Sequence, residues 1–255
     1  MAEQRTAVLE AAREIGAHTR LLQFAMEAPL NFSGGQYIIV HTGIEIAGGK
    51  TAKRAYSMLS GDREQHCFEL AVRLVGEGPG SNMMHGFVVG SELSFTGPWG
   101  KLGPGSRPEA PTVLGPALVV ATDTGITAAM GLLNSVAFQP FMAEADVYWL
   151  LESDQYFLPV DFVRERIQGR CRNFVVRAAP TVNSGYRKAW VEAFVEETAD
   201  RQTSVSRHRS AFLSGDGMVL FPLRERLVES GIEDVRIETF FNHQEKKAAL
   251  KTAAS

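Results

Sequence analysis

From residue 116 onward the chain alternates short, continuously apolar runs with longer segments of helical period, and this alternation constrains the fold more than any other feature. The runs are "PALVVAT", "ADVYWLLES", "NFVVRAAP", "SAFLSGD" and "DVRIETFFN". Between them lie "GITAAMGLLNSVA", "PVDFVRERIQGR", "RKAWVEAFVEETADR" and "MVLFPLRERLVESG". Strands apolar on both faces, each followed by a helix, imply a parallel, doubly wound α/β sheet. The first 100 residues read differently. "RTAVLEAAREI", "HTRLLQFAM", "SGGQYIIVHTG", "RAYSMLS", "QHCFELAVRLV" and "SELSFTG" are short β-type runs split by glycine-rich turns, the pattern of a small antiparallel β-barrel or sandwich. "GSNMMHGFVVG" is the one helical segment there, with Ser81 as N-cap and Gly90 as stop. "GPGSRPEAP", residues 103–111, carries three prolines and cannot be a helix or a central strand. It divides the chain into expected domains at 1–106 and 112–255.

Ligands of an open α/β sheet bind outside the carboxyl ends of its strands, where strand order reverses. Two domains acting together place their chemistry in the cleft between them. Three segments supply candidate residues. In "RAYS", Arg54 and Tyr56 point to one side of a strand. A guanidinium suits a phosphate or pyrophosphate, and a phenol stacks on a flat heterocycle. Ser57 joins them only if the strand ends or bends there. In "GEGPGSNMMH", Gly78, Gly80 and Ser81 precede a helix whose open N–H groups suit an anion. In "LVVATDTGITAAMGLL", a turn over Thr122–Thr127 leads from strand to helix, the place for a dinucleotide pyrophosphate, although Gly125 is its only glycine. Each segment has a plain structural reading: a surface arginine on a strand, a capped turn, an ordinary strand–helix connection.

Composition excludes other classes. A net charge of −3 gives no general pull toward nucleic acid or anionic membrane. No apolar run approaches the roughly 20 residues of a membrane span, and the N-terminus lacks a signal-peptide core, so a cytoplasmic location is expected. Cys67 and Cys171 are too few for a four-cysteine cluster, and the scattered histidines show no metal-ligand spacing; no metal is expected.

"RAYS", "GPGS", "GPWGKL", "TGIT" and "SGDGM" occur in this order at suitable distances, and with them the chain resembles the ferredoxin–NADP reductase superfamily from about residue 5 to about 242. The resemblance implies an FAD domain followed by an NAD(P) domain. It implies that Arg54 holds the FAD pyrophosphate, that Tyr56 packs on the isoalloxazine, and that Ser57 lies near flavin N5. Ala55 sits within that box. It further implies FAD-phosphate roles for Gly78, Gly80, Ser81, Asn82 and Met83, and nicotinamide-nucleotide roles for Thr122, Thr124, Gly125, Ile126, Thr127, Gly215, Asp216 and Met218. Asp123 stands where the family usually has glycine, and Ala128 where it has proline. Ser214-Gly215-Asp216 stands where relatives have Cys-Gly-Pro near the hydride-transfer site, which puts fast nicotinamide reduction in question. Ser214 and, on the last strand, Glu238 join Ser57 as candidate catalytic residues. Phe240 and Phe241 are expected to pack.

The implied activity is a flavin-dependent reductase. Electrons pass from NADH or NADPH through FAD to a separate acceptor: a ferredoxin, a flavodoxin or an oxygenase component. The alternatives are a flavin or ferric-chelate reductase and an FAD-binding electron-relay subunit with an impaired nicotinamide site. Glu152, after the second strand of the α/β domain, can bond a ribose 2′-hydroxyl and repel a 2′-phosphate, whereas Arg177 could greet that phosphate. The balance favours NADH. "RQTSVSRHR", with Arg201, Arg207, His208 and Arg209, reads as either a solvated loop or a docking patch for an acidic redox protein.

Overall fold

The computed structural model describes residues 3–16, 18–46, 48–76, 78–104, 115–151, 157–179, 184–198 and 207–240. The first domain contains β1 (Gln4–Gly16), β2 (Thr19–Ala25), β3 (Tyr37–Ile46), β4 (Lys50–Ser57), β5 (Cys67–Arg73), α1 (Pro79–His85) and β6 (Glu92–Trp99). Its strands form one antiparallel sheet in the order β4-β3-β6-β1-β2-β5. The expected barrel is therefore barrel-like but not closed, because β4 and β5 remain edges. Helix α1 contacts both of those edges and β3. A helix laid over open edges protects their unpaired backbone groups without closure. The core inside holds Leu22, Phe24, Ile38, Phe68, Leu70 and Phe95.

Helix α1 departs from its sequence reading. Its N-cap is Gly78, Ser81 lies inside the helix, and the C-cap is Gly86. The Ser81 hydroxyl donates to the Gly78 carbonyl (3.0 Å) and accepts from the Val75 N–H (3.3 Å). Pro79 sets this start, since proline at the first helical position costs no hydrogen bond. Gly90 belongs to a later turn, at φ +91°.

The second domain contains β7 (Ala117–Thr122), α2 (Ile126–Leu133), a 3-10 segment (Val136–Glu144), β8 (Asp146–Leu151), α3 (Val160–Ile167), β9 (Asn173–Ala178), α4 (Ser184–Thr198), β10 (Ser210–Gly215), α5 (Gly217–Glu229) and β11 (Asp234–Thr239). The strands are parallel, in the order β11-β10-β7-β8-β9, as the alternation of apolar and helical segments requires. Order reverses between β7 and β10, so the crevice at their carboxyl ends is the expected ligand position. One face of the sheet packs on α4 and α5 through Tyr148, Leu150, Phe194 and Leu220. The other packs on α2 and α3, and that core continues into the first domain through Leu21, Leu59, Ala71 and Leu102. Among the described residues no single helix is long and apolar enough to cross a membrane, and no group of three or more His, Cys, Asp or Glu is placed to hold a metal.

The amino ends of the parallel strands carry a charged cluster. Asp146 is fully shielded from solvent. It accepts hydrogen bonds from Arg172 (2.8 and 2.5 Å), Asn173 (2.7 Å) and Arg207 (2.8 Å), and pairs with His208 Nε2 (2.8 Å). Burial pushes the carboxyl up, but the bonds from His208, Arg172 and Asn173 prevail and hold it far below the usual carboxylate range. Burial also outweighs the Asp146 contact at His208 and lowers its pKa. Arg209 pairs with Glu233 nearby (2.8 Å). Arg207, His208 and Arg209 are thus each paired within the chain, while Arg207 and Arg209 stay partly exposed; Arg201 lies outside the described residues.

Candidate functional site

A cleft of about 360 Å3 opens between the domains. From the first domain it is lined by Arg54, Ala55, Tyr56 and Ser57, by Ala71, Arg73 and Val75, and by Gly78, Gly80 and Ser81. From the second it is lined by Thr124, Thr127, Phe157 and Phe240. Ser57 is the last residue of β4. The strand stops there, which lets Ser57 share the cleft with Arg54 and Tyr56 despite opposite strand parity.

Arg54 is exposed and donates to the Lys53 carbonyl (2.8 Å); among the described residues it has no other hydrogen-bond acceptor and no carboxylate partner. Its charge is available to an anion. Tyr56 is half-buried, and burial pushes its phenol up to about 12 against the opposing pull of Arg54, so the hydroxyl stays protonated. A Cβ added at Gly80 would lie 2.7 Å from the Tyr56 hydroxyl and 3.1 Å from Arg54 Cγ. Glycine is what allows helix α1 to approach that pair. Asn82 and Met83, expected at the same place, do not line the cleft: Asn82 bonds back to the Gly76 carbonyl (3.2 Å), and Met83 packs on the core.

Across the cleft the β7–α2 turn supplies Thr124 and Thr127, whose hydroxyl donates to the Thr124 carbonyl (2.8 Å). Asp123 has φ +39°, and Trp149 Nε1 donates to its carbonyl (3.0 Å). A positive φ explains why glycine is usual here, and aspartate is among the residues that tolerate it. Thr122, Gly125, Ser214, Gly215 and Asp216 form the floor of the β7/β10 crevice rather than the lining of the cleft. The Ser214 hydroxyl is fully buried and donates to the Gly125 carbonyl (2.9 Å), so it is not presented to a ligand. A Cβ at Gly125 would meet the Ser214 carbonyl at 2.1 Å, and one at Gly215, φ +127°, would meet Thr122 Oγ1 at the same distance. Thr122 Oγ1 accepts from the Asp216 N–H (2.6 Å). Asp216 is the N-cap of α5, accepting from the Met218 N–H (2.8 Å), while Met218 itself is exposed. Ile126 is core.

Glu238 does not line the cleft either. Burial pushes its carboxyl up against a hydrogen bond from the Lys101 backbone, and it faces Tyr37, whose phenol is raised by burial and by Glu238. Tyr37 is the ladder partner of Ser57, so Glu238 sits one residue behind the cleft wall. Glu152 and Phe241 lie outside the described residues. Sequence reasoning missed Ala71, Arg73, Val75 and Phe157, and assigned Phe240 to packing. Phe157 is pinned by its carbonyl, which accepts from the buried Thr19 hydroxyl of the first domain (2.8 Å). No local pattern signals that contact.

A guanidinium and a phenol face a strand–helix turn across a two-domain cleft. The chain is similar to FAD- and NAD(P)-binding oxidoreductases of the ferredoxin–NADP reductase-like superfamily. Residues 6–103 match the oxidoreductase FAD-binding domain. The chain is 35% identical over 138 residues to a ferredoxin–NADP reductase B of Sorangium cellulosum, covering 52% of each chain. It is 26% identical over 129 residues to NADH-cytochrome b5 reductase 1 of Dictyostelium discoideum, covering 49% of this chain and 42% of that one. These matches span about half the length of the relatives. A ferredoxin NADP+ reductase from Neisseria gonorrhoeae shares the fold with a TM-score of 0.70 at 15% identity, over 94% of this chain and all of that one.

Proposed function

We propose that the protein is an NAD(P)H-dependent flavoprotein reductase that holds FAD in the interdomain cleft and passes electrons to a separate ferredoxin, flavodoxin or oxygenase component. The observation that carries this reading is the cleft itself, in which the end of β4, Arg54 to Ser57, faces Thr124 and Thr127 from the other domain. Arg54 would neutralise the FAD pyrophosphate. Tyr56 would cover one face of the ring system, and Ser57 would lie at its edge. The β7–α2 turn and the β7/β10 crevice would seat the nicotinamide nucleotide. When bound, the flavin supplies the redox chemistry, accepting a hydride and releasing electrons singly. The chain's part is to hold the two ring systems together and keep water out. NADH is favoured over NADPH, because Arg177 is engaged bidentately by Glu197 (2.8 and 2.7 Å) and lies over Tyr148 rather than standing free for a 2′-phosphate.

The test is anaerobic titration of the purified protein, reconstituted with FAD, while flavin absorbance is followed. Bleaching by NADH at lower concentration than by NADPH is the expected result. A protein that does not retain FAD, or a yellow one that neither nucleotide bleaches, overturns the reductase reading.

A further inference from the structure

We propose that Gly131 and Asp62 are positioning residues that set the width of the cleft from outside it. The inference rests on the reductase reading for its kinetic consequence and on the geometry alone for its structural one. Helix α2 connects the two regions. Its start carries Thr127, which lines the cleft; one turn later Gly131 lies on the chain leaving β4, directly after Ser57. A Cβ at Gly131 would meet the Met58 carbonyl at 2.4 Å and the Gly35 nitrogen at 3.1 Å. The two walls are therefore in backbone contact one turn behind the lining residues, and that contact fixes how far Thr127 stands from Ser57.

The seam continues on the same side. A Cβ at Gly34 would meet the Gly131 carbonyl at 2.2 Å, and one at Gly61 would meet the Asn134 carbonyl at 2.1 Å. Asp62 brackets this seam. One carboxylate oxygen accepts from the Gly34 N–H (2.9 Å) in the first domain, the other from the Val136 N–H (2.7 Å) at the start of the 3-10 segment in the second. Asn134 is held from the far side by Arg170 (2.8 Å). Neither Asp62 nor Gly131 lines the cleft, so each acts through α2.

Transfer between two bound rings is sensitive to spacing: a misplacement of about 1 Å can cost about 100-fold in rate. Gly131→Ala must open its 2.4 Å contact toward ordinary van der Waals distance, a shift of about 1 Å in a close-packed seam. The experiment compares the parent with Gly131→Ala, Asp62→Ala and Asp62→Asn. Anaerobic stopped-flow mixing reads the flavin-reduction rate at saturating NADH and, separately, the concentration giving half that rate. Gly131→Ala should lower the limiting rate by about 10- to 100-fold and Asp62→Ala by about 10-fold, with half-saturation changed less than about threefold. Asp62→Asn, which keeps one acceptor oxygen, should fall between the parent and Asp62→Ala. A purely structural role would lower thermal stability and leave the limiting rate of the folded fraction unchanged; that outcome in both Gly131→Ala and Asp62→Ala overturns the inference. Crystal structures of the same variants read the spacing without any turnover. A Thr127-to-Ser57 separation within about 0.3 Å of the parent in both variants also overturns it, even if the parent proves unreactive with nicotinamides and only the reductase reading fails. Should Gly131→Ala not fold, the two Asp62 variants decide.

Discussion

Replacing Asp146 by alanine should destabilise the protein more than any other single change at the amino ends of the parallel strands. The carboxylate is fully buried, whereas Arg172 and Arg207 keep 36% and 39% of their side-chain surfaces exposed. Removing one partner of a buried ion pair costs about 3–5 kcal/mol. Because both guanidiniums can rehydrate, the lower end, about 3 kcal/mol, is expected here. At roughly 2–4 °C per kcal/mol for a chain of this size, the midpoint of thermal unfolding should fall by about 6–12 °C. Asp146→Asn keeps the shape but loses the charge and one acceptor, and should cost about 2 kcal/mol. The control is Arg209→Ala, which breaks a pair whose members are 54% and 53% exposed and should cost less than about 1 kcal/mol. Circular dichroism melts at pH 7.5, with the flavin state matched, read all three. If Asp146→Ala melts no lower than Arg209→Ala, the cluster is not a stabilising element and the argument from burial is wrong.

The same cluster fixes a pH dependence. Folded His208 and folded Asp146 both have lowered pKa values, so stability should be level above about pH 6.5. It should fall below that as the unfolded state gains the histidine proton that the fold refuses, and fall again below about pH 4 as unfolded Asp146 protonates first. Denaturant midpoints measured from pH 8 to pH 3 check this, and Asp146→Asn should remove the acid limb. Arg54→Ala should weaken FAD retention roughly 10- to 100-fold, the worth of a charge-assisted bond to phosphate, as followed by flavin fluorescence on dilution. Gly80→Ala should also loosen FAD by displacing Tyr56 and Arg54, yet leave the melting midpoint unchanged or higher because alanine favours the helix; a large drop in midpoint refutes the local explanation.

The two-domain order, the parallel sheet and the Arg54–Ser57 wall were legible because each is written in a contiguous pattern: apolar runs, helical period, a box on one strand. Asp123 was legible only as a departure, and its positive φ supplies the reason. What sequence could not show is what meets across long separations. Asp146, Arg172 and His208 come from three strand entrances, and Asp62 faces Val136 across 74 positions. Phe157, at the cleft, is bonded by the Thr19 hydroxyl 138 positions away. The hydroxyls of Ser81 and Ser214 each donate to a neighbouring carbonyl, that of Gly78 and that of Gly125, and sequence does not show such contacts.

The parallel sheet separates two kinds of sensitivity. Its strands are six residues long, about 20 Å from the Asp146 end to the cleft end, and at physiological salt exposed charges are felt over only about 8 Å. Acid or salt that loosens one pole should leave the geometry of the cleft at the other untouched, so durability and the proposed donor preference should respond to separate substitutions.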